Sequence, residues 1–395
     1  MHSDAGRMSS HPRYIVSQLD AIAAQAKNAD LTRSISDDVI KGIKATDVMR
    51  LSASPELSGL NETIVVMADE LRAVAANCSS TAWCLWNHLC TFHLFSGLLG
   101  PEHADFLRGI TERHEWVCFP AGASSSVTFE TEGDEVVMNG SAAFGSGARY
   151  AEWAGVILDQ ASDRPDPHFV LADLRDPNVR IDPTWEAMSL RASATDHIYY
   201  ENARAQSSGV VPFPIPSRIA FREPAREMIH PRYREDWVAL SVIWLGAMAC
   251  GVAEASLNET CENIRERIAI FGTKMVERPT IHVNLGRARA LVNAAIDTVY
   301  AAAAETDARI VTASIPTEAD YLRQCAAGMQ AVMLCDEVMR LVLRVLGGNG
   351  LREGTVFERR YRDFQAMPLH INGHVDRITE QMGRHSLGLK TLNPI

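Results

Sequence analysis

The chain changes its hydrophobic period twice, and this limits its fold more than any other feature. Up to about Trp116 apolar residues recur at helical spacing, as in SQLDAIAAQA and NETIVVMADELRAVAANCSSTAWCLWNHLCTFHLFSGLL. From Trp116 they alternate among β-branched residues, as in WVCFPAGASSSVTFETEGDEVVMNGSAAFGSGARYAEWAGVILDQ, with EGDE and NG expected at the turns. From Tyr233 the helical period returns and persists. The chain must therefore carry a β unit between two helical units: 1–116 helical, 117–216 β, 217–395 helical. VPFPIPSRIAFREPAR, rich in proline, reads as the linker leaving the β unit.

Within the first unit, the segment through AWCLW has more apolar residues than one helical face can hold, so it should be buried on most sides. The last unit reads as long helices with small, alanine-rich faces that suit a bundle, the final one running through His370 and His374.

A net charge of −11 with no run of Lys and Arg argues against nucleic acid as a partner. The eight cysteines include no CxxC pair and several sit in apolar helical sequence, so they are expected as buried free thiols in a reducing compartment. No apolar run reads as a membrane span and the first residues lack a signal-peptide core, so a cytoplasmic protein without a membrane partner is expected.

Several residue patterns could carry chemistry. Ser146 lies in Phe144-Gly145-Ser146-Gly147, where small neighbours would let a hydroxyl approach a ligand, although such a string can also be only a tight turn. His370 and His374 stand four apart, but no HExxH and no third ligand accompany them, so no metal is expected. Gly347-Gly348-Asn349-Gly350 follows an apolar helix and not a strand, which fails the context of a nucleotide-binding glycine loop and also suits a helix C-cap. Trp83, Trp86, His88, Phe92 and His93 on the buried helix, with Asn87 nearby, are either core or cavity lining. Arg360 and Arg362 beside Asp363 read as an internal ion-pair cluster that positions the histidine segment.

Five strings in order, SSTAW, MNGSAAFGSGARYAEW, WEAMSLRASATDHIYYENARA, RERIAIFG and LGGNGLREGTVFERRYRDFQA, resemble the acyl-CoA dehydrogenase superfamily over nearly the whole chain. The resemblance implies an α+β fold: an N-terminal helical domain, a central β-barrel or sandwich and a C-terminal four-helix bundle. It also implies a non-covalent flavin and a homotetramer in which a glycine loop reaches the neighbour's cofactor. In the dehydrogenase branch a Glu follows the Arg-Asp pair and removes the α-proton of an acyl thioester. Here Leu369, His370, Ile371, Asn372 and Gly373 occupy that region with no carboxylate.

An imidazole at this place is what the flavin-dependent monooxygenase branch of the fold resembles. That branch implies hydroxylation of a phenol or indole through a flavin C4a-(hydro)peroxide, using O2 and reduced FMN or FAD from a separate NAD(P)H:flavin reductase. It assigns His370 as the base that takes the substrate proton and Ser146 as the hydroxyl near flavin N5. Trp83, Arg267, Phe271, Lys274, Gly347 and Gly348 become cofactor contacts; Trp83, Asn87, Phe144 and His370 face the substrate. The rival readings are an acyl-CoA dehydrogenase, an N-hydroxylating or sulfur-oxidising monooxygenase, and a catalytically silent flavin-binding member of the fold.

Overall fold

The computed structural model describes residues 12–122, 125–159, 167–213, 221–269 and 272–391. The first unit contains α1 (Leu19–Thr32), α2 (Asp37–Lys44), α3 (Ile64–Asn77), α4 (Ser79–Leu99) and α5 (Ala104–Glu112). Helix α4 is buried along almost its whole length, as its all-round apolar sequence requires. Thr63 starts α3 by accepting a hydrogen bond from the Val66 N–H.

Eight strands follow: β1 (Val117–Cys118), β2 (Ser126–Glu132), β3 (Glu135–Gly145), β4 (Trp153–Leu158), β5 (His168–Asp173), β6 (Val179–Asp182), β7 (Asp196–Gln206) and β8 (Val211–Pro212). They form two four-stranded sheets, ordered β1-β4-β5-β8 and β2-β3-β7-β6. All pairings are antiparallel except the parallel β1 and β4. Val127, Met138, Val156, Ile198 and Tyr200 fill the space between the sheets.

Two local expectations fail here for physical reasons. EGDE does close the β2–β3 hairpin, with Gly133 at φ 64°, but Asn139-Gly140 lies inside β3 at a register shift and not at a turn. Gly140 is needed there because a Cβ would stand 2.0 Å from Ser126 O. Likewise Trp185 to Ala194 form no strand; the chain is irregular until β7 begins at Asp196.

Residues 214–220, within the proline-rich linker, lie outside the described residues. The last unit holds three long helices, α6 (Trp237–Arg265), α7 (Pro279–Val311) and α8 (Glu318–Leu346), followed by the short α9 (Val356–Phe364) and α10 (Val375–Ser386). Asp236 caps α6 through bonds from Val238 and Ala239 N–H, and Thr317 with Asp320 forms a capping box on α8. Contrary to the sequence expectation, α6 is long and apolar enough to cross a membrane, yet 89% of its most apolar window is buried inside the protein. Its neighbours are α3, α4, α7 and α8, so its hydrophobicity serves the main core.

The final helix does not run through the histidine pair. Helix α9 ends at Phe364, a single turn of 3-10 helix spans Ile371–Gly373, and His374 is the N-cap of α10. Pro368 explains the break, since it lacks an N–H and disfavours helical backbone at the residue before it.

Candidate active site

A cavity of about 600 Å³ lies where α4, the β-domain turns and the segment after α9 meet. It collects Trp83, Asn87, Phe144, Ser146 and His370, five residues that the sequence reading had drawn from three separate regions.

His370 stands against two indoles of α4. Its ring is 5.3 Å from Trp83 and 4.9 Å from Trp86, edge-on to both. The indoles are fixed in turn: Trp83 Nε1 donates to Ser146 Oγ at 3.1 Å, and Trp86 Nε1 donates to Ser241 O at 2.9 Å. Asn372 Nδ2 donates to Ser241 Oγ at 3.0 Å, so one serine of α6 holds both an indole and the turn that carries His370.

The protonation pattern of His370 follows from its hydrogen bond. The Asn372 N–H donates to His370 Nδ1 at 3.2 Å, so that nitrogen carries a lone pair. Burial pushes the imidazole down to about 4, which leaves it neutral near pH 7. A neutral ring accepting at Nδ1 holds its proton on Nε2, and among the described residues Nε2 has no partner. The ring thus offers the cavity a donor. The Nδ1 lone pair faces the Asn372 backbone N–H.

Ser146 follows β3 in a turn that needs Gly147 at φ 80°. Its hydroxyl bonds Thr195 Oγ1 at 3.0 Å, and Thr195 bonds Ser193 Oγ at 2.7 Å. Ser146 Oγ thus has two partners, the Trp83 N–H that donates to it and the Thr195 hydroxyl, and either hydroxyl of that pair can donate. Phe144, at φ 62°, is a non-glycine residue held in left-handed backbone beside the β3–β7 irregularity. Its ring is half exposed at the cavity edge, 6.2 Å from Trp185.

The other expected cofactor contacts lie elsewhere. Arg267 lines a second cavity of about 290 Å³ with Asn349, Arg352 and Phe357, and the two cavities share no lining residue. Both terminal nitrogens of Arg267 donate to Leu346 O at 3.3 Å, beside the turn at Gly347 and Gly348. Space is open where either glycine would carry a Cβ. Lys274 is exposed, and Phe271 lies outside the described residues.

His374 does not join His370. Among the described residues no group of three His, Cys, Asp or Glu side chains could hold a metal ion. Arg362 pairs with Asp30 at 2.9 Å and Glu358 at 2.7 Å, Arg360 pairs with Glu259 at 2.7 Å, and Asp363 accepts from the Leu190 N–H at 2.8 Å. This cluster sits behind the cavity wall and braces it, since Leu190 is a lining residue. Sequence reasoning missed Thr195, Trp185 and Trp237 as lining residues. Trp86, expected as core or cavity lining three residues after Trp83, does line the cavity.

Residues 243–374 match the C-terminal domain of acyl-CoA dehydrogenases. The fold also matches XiaF from Streptomyces sp. in complex with FADH2 and glycerol, with a TM-score of 0.86 and 19% identity over 96% of this chain and 95% of that one. The chain has the acyl-CoA dehydrogenase fold. Within that fold it is similar to the oxygenase subunit HsaA, a flavin-dependent monooxygenase of Rhodococcus jostii, at 24% identity over 94% of this chain and 96% of the relative. A pigment production hydroxylase of Rhodococcus sp. is 22% identical, covering 95% of each chain. The chain is thus similar to a flavin-dependent oxygenase subunit over nearly its full length.

The residues present fit a flavin ring. The cavity offers flat indole walls, a hydroxyl pair at Ser146 and Thr195, and the Asn87 Oδ1, a buried acceptor with no partner among the described residues.

Proposed function

We propose that this protein is the oxygenase component of a two-component monooxygenase that hydroxylates an aromatic or heteroaromatic small molecule. Reduced FMN or FAD comes from a separate NAD(P)H:flavin reductase and, when bound, supplies the activation of O2. One observation carries the reading: a large aromatic cavity has an imidazole in its wall and, among the described residues, no Asp or Glu in its lining. An acyl-CoA dehydrogenase needs a carboxylate at that place to remove an α-proton.

The chain's own residues then have distinct tasks. Trp83 and Trp86 supply flat apolar walls that exclude water and hold rings face or edge on. Ser146, held from behind by Trp83 and Thr195, presents its hydroxyl to the flavin edge. His370 presents Nε2–H to the substrate or to the oxygen that is transferred, polarising it without gaining a charge itself. In a homotetramer, Arg267 and the Gly347-Gly348 turn are the groups we assign to the flavin phosphate or ribityl portion of a neighbouring subunit, an Arg fork being suited to phosphate oxygens.

The test supplies chemically reduced FMN or FADH2 and isotopically labelled dioxygen to the purified protein with a panel of phenols, indoles and thiophenes. Label in a hydroxylated ring is the expected outcome. Bleaching of bound oxidised flavin by an acyl-CoA alone would overturn the reading.

A further inference from the structure

The large cavity is electrically empty. Among the described residues it is lined by no Asp, Glu, Lys or Arg, and its walls are Trp83, Trp86, Trp185, Trp237, Phe119 and Phe144. The cations behind the wall are already engaged. Arg362 donates to Met188 O at 2.6 Å while bound by Asp30 and Glu358, and Arg149 is bound by Asp196 at 2.7 Å. Behind Leu190 lies a buried carboxyl, Asp363. Among the described residues an anionic ligand would meet no free positive partner here, and it would lose its hydration.

The polar groups that remain are sparse and directed. At His370 the backbone N–H of Asn372 occupies Nδ1, so the ring's one free polar atom is the Nε2–H donor. A ligand without an acceptor at that point would leave this donor unpaired.

We propose that the cavity selects an uncharged planar aromatic whose acceptor atom receives the Nε2–H of His370, and that it rejects aromatic carboxylates. The inference deepens the monooxygenase reading, on which it rests for the reaction but not for the binding step. Shape selection comes from the indole walls, charge rejection from the absence of a counter-ion in the lining, and orientation from the single imidazole donor.

The test is a titration of the full-length protein, with and without reduced flavin under anaerobic conditions, read by tryptophan fluorescence. The probes are para-ethylphenol, which is neutral, and para-hydroxyphenylacetate, which is anionic at neutral pH. The neutral phenol is expected to bind at least about 100-fold more tightly, the scale set by burying an unpaired carboxylate. Equal or tighter binding of the anion would overturn the proposal.

The donor is tested with two variants checked for native melting, His370→Gln and His370→Phe. Gln keeps an N–H donor but is no base, so its affinity for para-ethylphenol should stay within about tenfold of the parent, whereas Phe should lose roughly ten- to 100-fold. Equal weakening by the two variants would refute the donor. Neutral-selective binding without hydroxylation would refute the monooxygenase reading and leave the selectivity intact; efficient hydroxylation of the carboxylate would do the reverse.

Discussion

The Trp83 indole donates to the Ser146 hydroxyl at 3.1 Å, joining the most buried helix of the first domain to a turn of the β domain 63 residues later. The bond fixes the side chain that walls the cavity and the side chain that offers it a hydroxyl, so neither can move alone.

Ser146→Ala should therefore act on both. It leaves the Trp83 N–H and the Thr195 hydroxyl short of a partner, which costs about 1 to 3 kcal/mol by denaturant unfolding. On the proposed function it also removes the hydroxyl assigned to the flavin edge, and the share of consumed reduced flavin that appears as hydrogen peroxide should rise several-fold. Trp83→Phe keeps most of the wall and loses only the donor, so it should cost about 1 kcal/mol and uncouple less. An unchanged peroxide share in Ser146→Ala would remove the serine from this role.

The residue types of the site were legible in the sequence, but their roles were less so. Trp83, Ser146 and His370 stood out through the family resemblance, since a buried helix, a tight turn and a helical histidine pair would each explain their strings. What decides the role of His370 is a backbone N–H two residues later, and that contact depends on the chain leaving the helix after Phe364. Pro368 signalled the break, yet the regular four-residue histidine spacing was read as helical. Thr195 gave no signal, because its contact with Ser146 comes from the irregular path between Trp185 and β7. Asn139-Gly140 carried the signature of a turn and turned out to mark a bulge, since glycine serves close backbone approach as well as reversal.

Seven of the eight cysteines are buried, Cys261 is half-buried, and all are free thiols. Burial pushes the thiols of Cys78, Cys84, Cys90, Cys118 and Cys335 up, so they are poor nucleophiles. An aromatic disulfide reagent should label Cys261 quickly in the native protein and the other seven only after unfolding. Rapid native labelling of three or more would contradict the packing described.

Gly328 of α8 lies against α6, where a Cβ would stand 2.1 Å from Val242 O; a Cβ on Gly246 would lie 3.0 Å from Gly328 Cα. Two glycines facing each other let these helices approach closely. Gly328→Ala should cost about 3 kcal/mol, because the clash is with backbone and cannot be relieved by a rotamer change. Urea midpoints at constant slope are the measurement, with Gly286→Ala, which meets open space, as the control.

Acid should unfold the protein at a pH well above that of ordinary carboxylate titration. Burial lowers His88 to about 4, His93 to about 3 and His370 to about 4, all from 6.5. Between pH 6.5 and about 4 the unfolded chain therefore binds three protons that the folded chain refuses, and stability falls as pH falls. Asp363 works in the opposite sense. Burial raises it from 3.8 to about 7, so the folded state holds a proton there that the unfolded state has released. The balance is two protons in favour of unfolding, on the order of 2 to 3 kcal/mol per pH unit. Denaturant titrations at pH 6, 5 and 4.5, inside this window, should show that slope, and His88→Gln should flatten it by about one proton. A stability independent of pH over that window would mean that these imidazoles ionise normally in the folded chain.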